Sequence, residues 1–217
     1  MHIYNKYMSM KVKYLGRGVY MKKSDEFIKT VKKYNGTITS AQVVKEGFSR
    51  GSLKYLADKG LIDRSARGVY ILPDMLDDEL FNLHTRFKKG IFSGETALFL
   101  NDLTDRTPNR FQMTFPLSYN TTNLKDENVK CVRVKENLYD LGVVDLRTPG
   151  GNIVKAYGVE RTLCDILRGH SNTDIQIVSE AFKRYAKRTN KNIPLLSEYS
   201  KKLRVEKRIR SYLEVLL

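Results

Sequence analysis

Hydrophobic positions between residues 24 and 72 fall into three short helical stripes followed by two β-prone runs. Phe27, Ile28, Val31 and Tyr34 recur at the spacing that lays them on one helix face, with Ser24 as N-cap, Asp25 and Glu26 in the first turn and Asn35-Gly36 at the end. Thr37-Ile38-Thr39 reads as a short extended link. Ser40 is then expected to cap a second helix through Ala41, Val43 and Val44 that stops at Gly47. Ser49 caps a third, whose Leu53, Leu56 and Ala57 share a face and which Gly60 closes. Residues 61–64 and 67–72, around a basic turn at Ser65-Ala66, predict a β-hairpin that ends at Pro73.

Beyond Pro73 the pattern changes. Helices are expected over 77–87 and 95–100, and strands over 91–93, 111–115, 129–134, 143–146 and 153–157, the last two joined by a turn at Gly150-Gly151-Asn152. The remainder reads as helices over 160–167, 174–188, 195–203 and 206–217. The expected fold class is α+β: an N-terminal winged helix-turn-helix over 21–74, then a larger mixed α/β domain over 75–217 with a helical C-terminal end. Residues 1–20 form an N-terminal extension, or the product of a start codon assigned too early. Within it Arg17-Gly18-Val19-Tyr20 repeats Arg67-Gly68-Val69-Tyr70 residue for residue, a match that two β-prone segments also reach by chance.

An apolar content of 41% supports a real core, and 39 basic against 24 acidic residues leave a net charge of +15. A globular chain so basic calls for a polyanionic partner, although excess charge also serves solubility. The excess is concentrated early, with 15 basic and 6 acidic residues up to Asp74 and 24 against 18 after it. No apolar run approaches the roughly 20 residues that span a bilayer, no segment pairs an apolar stripe with a basic face, and the start lacks the apolar heart of a signal peptide. A cytoplasmic protein without membrane association is expected.

Chemistry is not evident. Cys131 and Cys164 are far apart and lack metal-ligand spacing, so both read as reduced thiols. His2, His84 and His170 are dispersed. Gly16-Arg17-Gly18 and Gly150-Gly151 precede no Lys-Ser/Thr of a phosphate loop. The acidic clusters Asp77-Asp78-Glu79 and Asp126-Glu127 lack the strand-borne carboxylate and lysine of a nuclease. No catalytic residue, metal or cofactor is expected.

Three short helices followed by a hairpin form the layout in which a third helix enters the major groove and a wing lies along the backbone. At about 100° per residue, the face opposite Leu53 carries Gly51, Tyr55 and Asp58, flanked by Ser52 and Lys54. Arg50, in the first turn, is placed to bond guanine O6 and N7, and Gly51 offers no side chain to hold the helix away. Ser49 marks a helix N-terminus open to a phosphate, as do Thr39, Ser40 and Gln42 before the second helix. Arg64 and Arg67 flank the hairpin turn, ready for phosphates or a minor groove. Lys59 adds charge, as do Lys22, Lys23, Lys29, Lys32 and Lys33 around the first helix. Each cation taken singly is equally a solvated surface group, and Tyr55 is equally a packing residue against the wing. In the second domain Lys183, Arg184, Lys187 and Arg188 recur at helical spacing, and Lys201, Lys202, Arg204, Lys207, Arg208 and Arg210 crowd the tail. They form either solvated helix faces or a continued phosphate track on which the DNA is bent. Arg161 and Asp165, four apart, are expected to pair within their helix in a structural role.

Four features, taken in order, resemble the AbiEi family of bacterial antitoxins, known from abortive-infection systems against phage. They are the run from Gly47 to Leu72 with its Arg67-Gly68-Val69-Tyr70; Ser93-Gly94-Glu95-Thr96-Ala97-Leu98; Val159-Glu160-Arg161-Thr162-Leu163-Cys164-Asp165-Ile166-Leu167; and the basic helical tail. The resemblance spans Met21 to the C-terminus. It implies a negative autoregulator whose first domain binds inverted repeats in its own promoter, and whose second opposes a nucleotidyltransferase-like toxin encoded next door without a stable complex. With no heptad seam in view, a monomer that pairs cooperatively on repeated half-sites is expected. Two alternatives stay open: a winged-helix repressor whose second domain binds a small effector, and a DNA-processing enzyme.

Overall fold

The computed structural model describes residues 23–124, 127–169 and 171–216. These divide into two units, one ending at Thr85 and including Gly150–Asn152, the other formed by Arg86–Pro149 and the chain from Ile153 onward. The extension to Tyr20 with its Arg-Gly-Val-Tyr repeat, and also Lys22, Asp126 and His170, lie outside the described residues.

In the first unit, helix α1 (residues 23–33) buries Phe27 and Val31 and half-buries Ile28 and Tyr34, as its stripe requires. Ser24 lies inside this helix and is not its cap, because the helical hydrogen-bond pattern already includes Lys23. Asn35 (φ 54) and Gly36 (φ 76) take the left-handed conformation that ends it, and the Gly36 N–H returns to the Val31 carbonyl at 3.0 Å. Then follow β1 (Thr37–Thr39), α2 (Ser40–Lys45), α3 (Arg50–Asp58), β2 (Asp63–Ala66) and β3 (Val69–Ile71). Residues 37–39 are more than a link: β1 pairs antiparallel with β3, Ile38 opposite Tyr70, giving a three-stranded sheet of order β1-β3-β2.

Local chemistry revises two boundaries. The cap of α2 is Thr39, which keeps extended backbone; its hydroxyl accepts the Gln42 N–H at 3.2 Å while the Gln42 side-chain oxygen accepts the Thr39 N–H at 2.7 Å. Ser40 is the first helical residue. The hairpin tip is Arg67-Gly68, and Ser65-Ala66 belong to β2, whose register against β3 slips between Arg64 and Ala66. Gly68 supplies the positive φ of 79 that the tip needs. Of the apolar residues expected inside α2 only Val43 is buried, and Val44 remains 51% exposed. Phe27, Val31, Ile38, Val43, Leu53, Leu56 and Ile62 form one cluster, with Phe48 edge-on to Phe27 at 5.0 Å. Burial of such side chains contributes about 1.5–3 kcal/mol each.

The first unit extends past Asp74 because polar groups tie the start of α4 (Glu79–Arg86) to the hairpin. Ser65 donates to the Asp77 carboxylate, and Asn82 Nδ2 donates to both Ser65 Oγ at 2.7 Å and Asp77 Oδ1 at 2.8 Å. Asp78 accepts the Phe81 N–H at 3.0 Å and the Asn152 amide at 2.8 Å.

The second unit contains β4 (Ile91–Phe92), α5 (Gly94–Leu100), β5 (Phe111–Pro116), a 3-10 turn (Thr122–Leu124), β6 (Val129–Val134), α6 (Glu136–Tyr139), β7 (Val143–Arg147) and β8 (Ile153–Tyr157). Four helices end it: α7 (Val159–Ile166), α8 (Ile175–Lys187), α9 (Ile193–Lys202) and α10 (Glu206–Leu216). The sheet order is β6-β5-β4-β8-β7, with β5/β6 and β4/β8 parallel and the other pairs antiparallel. β5 and β6 run in register from Phe111 opposite Val129 to Pro116 opposite Val134, so both finish at the same end of the sheet. The helices pack around Leu98, Leu163, Phe182, Leu196 and Ile209. The mixed α+β class with a helical C-terminal end is what the chain adopts.

Candidate nucleic-acid interface

Ser49 keeps extended backbone and its hydroxyl accepts the Ser52 N–H at 3.3 Å, so α3 starts where its capping residue dictates. Leu53 and Leu56 point into the core at 2% exposure each, and this fixes the helix rotation. Arg50, Gly51 and Lys54 therefore face outward, and Tyr55 is 44% exposed. Lys59 Nζ stands 6.0 Å from the Tyr55 ring centre, the outer range of a cation–π contact.

Arg67 occupies the exposed hairpin tip, and Arg64, also exposed, stands on β2 opposite Tyr70. The side chains of Arg50, Lys54, Arg64 and Arg67 make no hydrogen bond or ion pair with any described residue. Thr39 and Gln42 are spent on each other in the capping box, and Ser40 Oγ reaches the Gly68 carbonyl at 3.5 Å. Lys29 and Lys32 are exposed on α1, whereas Lys33 faces Glu46 at 3.6 Å. The Tyr34 hydroxyl donates to Glu46 at 2.6 Å; chiefly through this bond the Glu46 carboxyl is held below its ordinary range and the Tyr34 phenol above its own. A cleft of about 700 Å³ runs beside the start of α3, lined by Phe27, Glu46, Phe48, Ser52 and Tyr55. It escaped the sequence reading because its walls come from three helix ends with no common period.

In the second unit the expected basic surface is only partly free. Arg184 is bracketed by Asp105 and by Glu180 at 2.7 Å; the guanidinium beside Asp105 holds that carboxyl below its usual range. Arg188 donates to the Asn101 carbonyl, Lys202 pairs with Glu198 at 2.7 Å, Arg210 with Glu206 at 3.6 Å, and Arg208 donates to the Leu167 carbonyl. Lys183, Lys187, Lys201, Arg204 and Lys207 remain exposed, with no such bond among the described residues.

The expected Arg161–Asp165 pair forms at 2.9 Å with Arg161 fully buried. Arg161 Nη1 also donates to the Leu138 and Leu141 carbonyls at 2.7 and 2.8 Å, and the guanidinium lies 4.1 Å from the Tyr157 ring centre. This is a structural clamp for the α6–β7 connection. Among the described residues no group of His, Cys, Asp and Glu is placed to hold a metal ion, and no helix is long and apolar enough to cross a membrane.

No curated protein matches the sequence. Among solved structures, the RV2827C protein from Mycobacterium tuberculosis is similar at 13% identity and a TM-score of 0.46, over 88% of this chain and 80% of that one. Residues 27–73, from α1 through the hairpin, match the family model described as transcriptional regulator, AbiEi antitoxin. The match covers less than a quarter of the 217 residues and is a similarity of the first unit to that family.

Proposed function

We propose that the first unit binds double-stranded DNA as a winged helix-turn-helix, and that the chain is an antitoxin and autorepressor that binds inverted repeats in its own promoter. The observation that carries this reading is the set of unspent cations: Arg50 and Lys54 on the outward face of α3, Arg64 and Arg67 at the hairpin, none neutralised by a described residue. In this reading α3 enters the major groove, with Arg50 on a guanine edge and Lys54 and Tyr55 beside it. Gly51 lets the backbone approach; Ser49, Ser52 and the α3 N-terminus face a phosphate. Arg64, Arg67 and Lys59 contact the backbone, with Thr39, Ser40 and Gln42 at its margin. Lys183, Lys187 and Lys201 extend the phosphate track, and the DNA bends to reach them at an elastic cost of about 1–6 kcal/mol. Copies of the monomer pair cooperatively on the repeats.

The matched family description supports a regulator and antitoxin that acts by binding rather than by catalysis. A neighbouring nucleotidyltransferase-like toxin, opposed in phage abortive infection without a stable complex, is the partner this reading implies. The test is fluorescence anisotropy with the duplex immediately upstream of the gene and a scrambled duplex, at two salt concentrations. Preference for the upstream duplex that Arg50→Ala/Lys54→Ala abolishes is expected. Equal, wholly salt-governed binding of both duplexes would overturn the assignment of α3.

A further inference from the structure

We infer that a basic cleft within the second unit binds a small polyphosphate-bearing ligand of the nucleoside polyphosphate class. The cleft measures about 380 Å³ and presents five cations, Arg133, Lys135, Arg168, Lys202 and Arg204, with no carboxylate in its lining. They converge from the end of β6, the turn after α7 and the end of α9, so neither sequence spacing nor one helix face reveals them. β5 and β6 are parallel and end together at Pro116 and Val134; Leu117 and Lys135, the next residues of each, line the cleft. The crevice outside the carboxyl ends of adjacent parallel strands is where open α/β sheets take ligands.

Charge selects the ligand. Arg168 is partly met by Asp165 at 3.6 Å and Lys202 by Glu198 at 2.7 Å. The side chains of Arg133, Lys135 and Arg204 have no hydrogen bond or ion pair among the described residues, which leaves three uncompensated cations at one opening. A single monoanion leaves most of that repulsion in place, whereas a di- or triphosphate matches it. Arg204 stands just past the end of α9 at φ 59, a conformation that glycine would adopt without strain. An arginine stands there instead, and it lines the same cleft.

The lining also includes the apolar Leu117, Leu138 and Leu203, with Leu117 53% exposed, and Asn137, whose amide both donates and accepts. A phosphate chain matches the cations and a flat, weakly polar group matches the leucines; a nucleoside supplies that group. The volume lies in the range of small-molecule sites, about 300–1,000 Å³, whereas a duplex phosphate track needs no concavity.

The test is isothermal titration calorimetry of the full chain with ATP, GTP, inorganic tripolyphosphate and adenosine. Two exposed-residue variants accompany it: Arg133→Gln/Lys135→Gln/Arg204→Gly at the cleft and Lys183→Gln/Lys187→Gln on α8. Circular dichroism and thermal melts establish that both remain folded. Saturable binding of a nucleoside triphosphate is expected, weakened about tenfold or more in the cleft variant and within about twofold in the α8 variant. Absence of saturable binding overturns the proposal, as does an equal loss in both variants, which marks diffuse charge. Tripolyphosphate binding as tight as that of either nucleotide overturns the nucleoside assignment. Loss of DNA affinity in the cleft variant as large as the nucleotide loss, with duplex displacing ATP, overturns a separate site and assigns these cations to the DNA track.

Discussion

Arg161 is among the largest fully buried side chains of the described residues, and its bonds explain why a charged one is there. One guanidinium satisfies Asp165, a backbone carbonyl of α6 and another of the α6–β7 connection, which four-residue α6 cannot organise alone. Gly142, at φ 76, lets this happen: an added Cβ would stand 2.7 Å from the Arg161 Cβ. Removing one partner of a buried pair costs about 3–5 kcal/mol. Arg161→Met is expected to fall in that range in urea unfolding, and Arg161→Lys to recover little, because an ammonium cannot reproduce the planar fork. A loss below about 1 kcal/mol for Arg161→Met would contradict the clamp. The thiols give a second residue-level test. Burial pushes the Cys164 thiol up to about 12; it raises Cys131 as well, with Arg133 opposing. A thiol-specific reagent should label only Cys131 in the folded chain, at a rate that climbs as pH rises past the ordinary thiol range, and reach Cys164 only after denaturation. Equal labelling of both in the native state would refute the burial of Cys164.

At the scale of elements, capping decides where helices begin. Thr39→Ala removes one half of the box at the start of α2 and should cost about 1 kcal/mol, whereas Ser40→Ala should change stability by only a few tenths; thermal melts distinguish the two. The Tyr34–Glu46 bond joins the end of α1 to the residue that closes the C-terminus of α2. Because the Glu46 carboxyl titrates lower when folded than when unfolded, its stabilising share is complete above the unfolded value and is lost as pH falls through the folded one. Tyr34→Phe should therefore lower the melting temperature at neutral pH and match the parent once the solution is acidic enough to protonate Glu46. A gap that persists there would mean that packing, not the hydroxyl, is responsible. Elements this strongly punctuated were legible in the sequence: α3 with its Ser49 cap, the turn at Asn35-Gly36, and β6 and β8 to the residue. The hairpin tip was misplaced because the register slip between Arg64 and Ala66 has no periodic signature. It also moves Arg67 from the flank of the turn into the turn itself.

At the scale of the whole molecule, charge was legible in amount but not in availability. The sequence shows +15 and clusters of cations, yet which of them are free depends on carboxylates far away in the chain. Asp105 lies 79 residues from Arg184, and helical spacing alone treats Arg184 as the equal of Lys183 and Lys187. The same long-range assembly hid the basic cleft and carried the first unit on to Thr85. Availability should appear in the salt dependence of DNA binding, where each neutralised phosphate contributes a slope of about 0.9 in log affinity against log salt. If Lys183 and Lys187 lie on the phosphate track, Lys183→Gln/Lys187→Gln should reduce that slope by up to about 1.8 and the bend angle with it. Arg184→Gln should leave the slope unchanged, because its charge is already met by Asp105 and Glu180. Fluorescence anisotropy over a salt series, with end-labelled duplexes for the bend, measures both. An Arg184→Gln effect as large as the lysine pair's would show that the Asp105 bridge opens on DNA, and unchanged slopes in both variants would remove α8 from the interface. In that case the proposed DNA binding would rest on the first unit, where Arg50, Lys54, Arg64 and Arg67 are paired with no acid among the described residues.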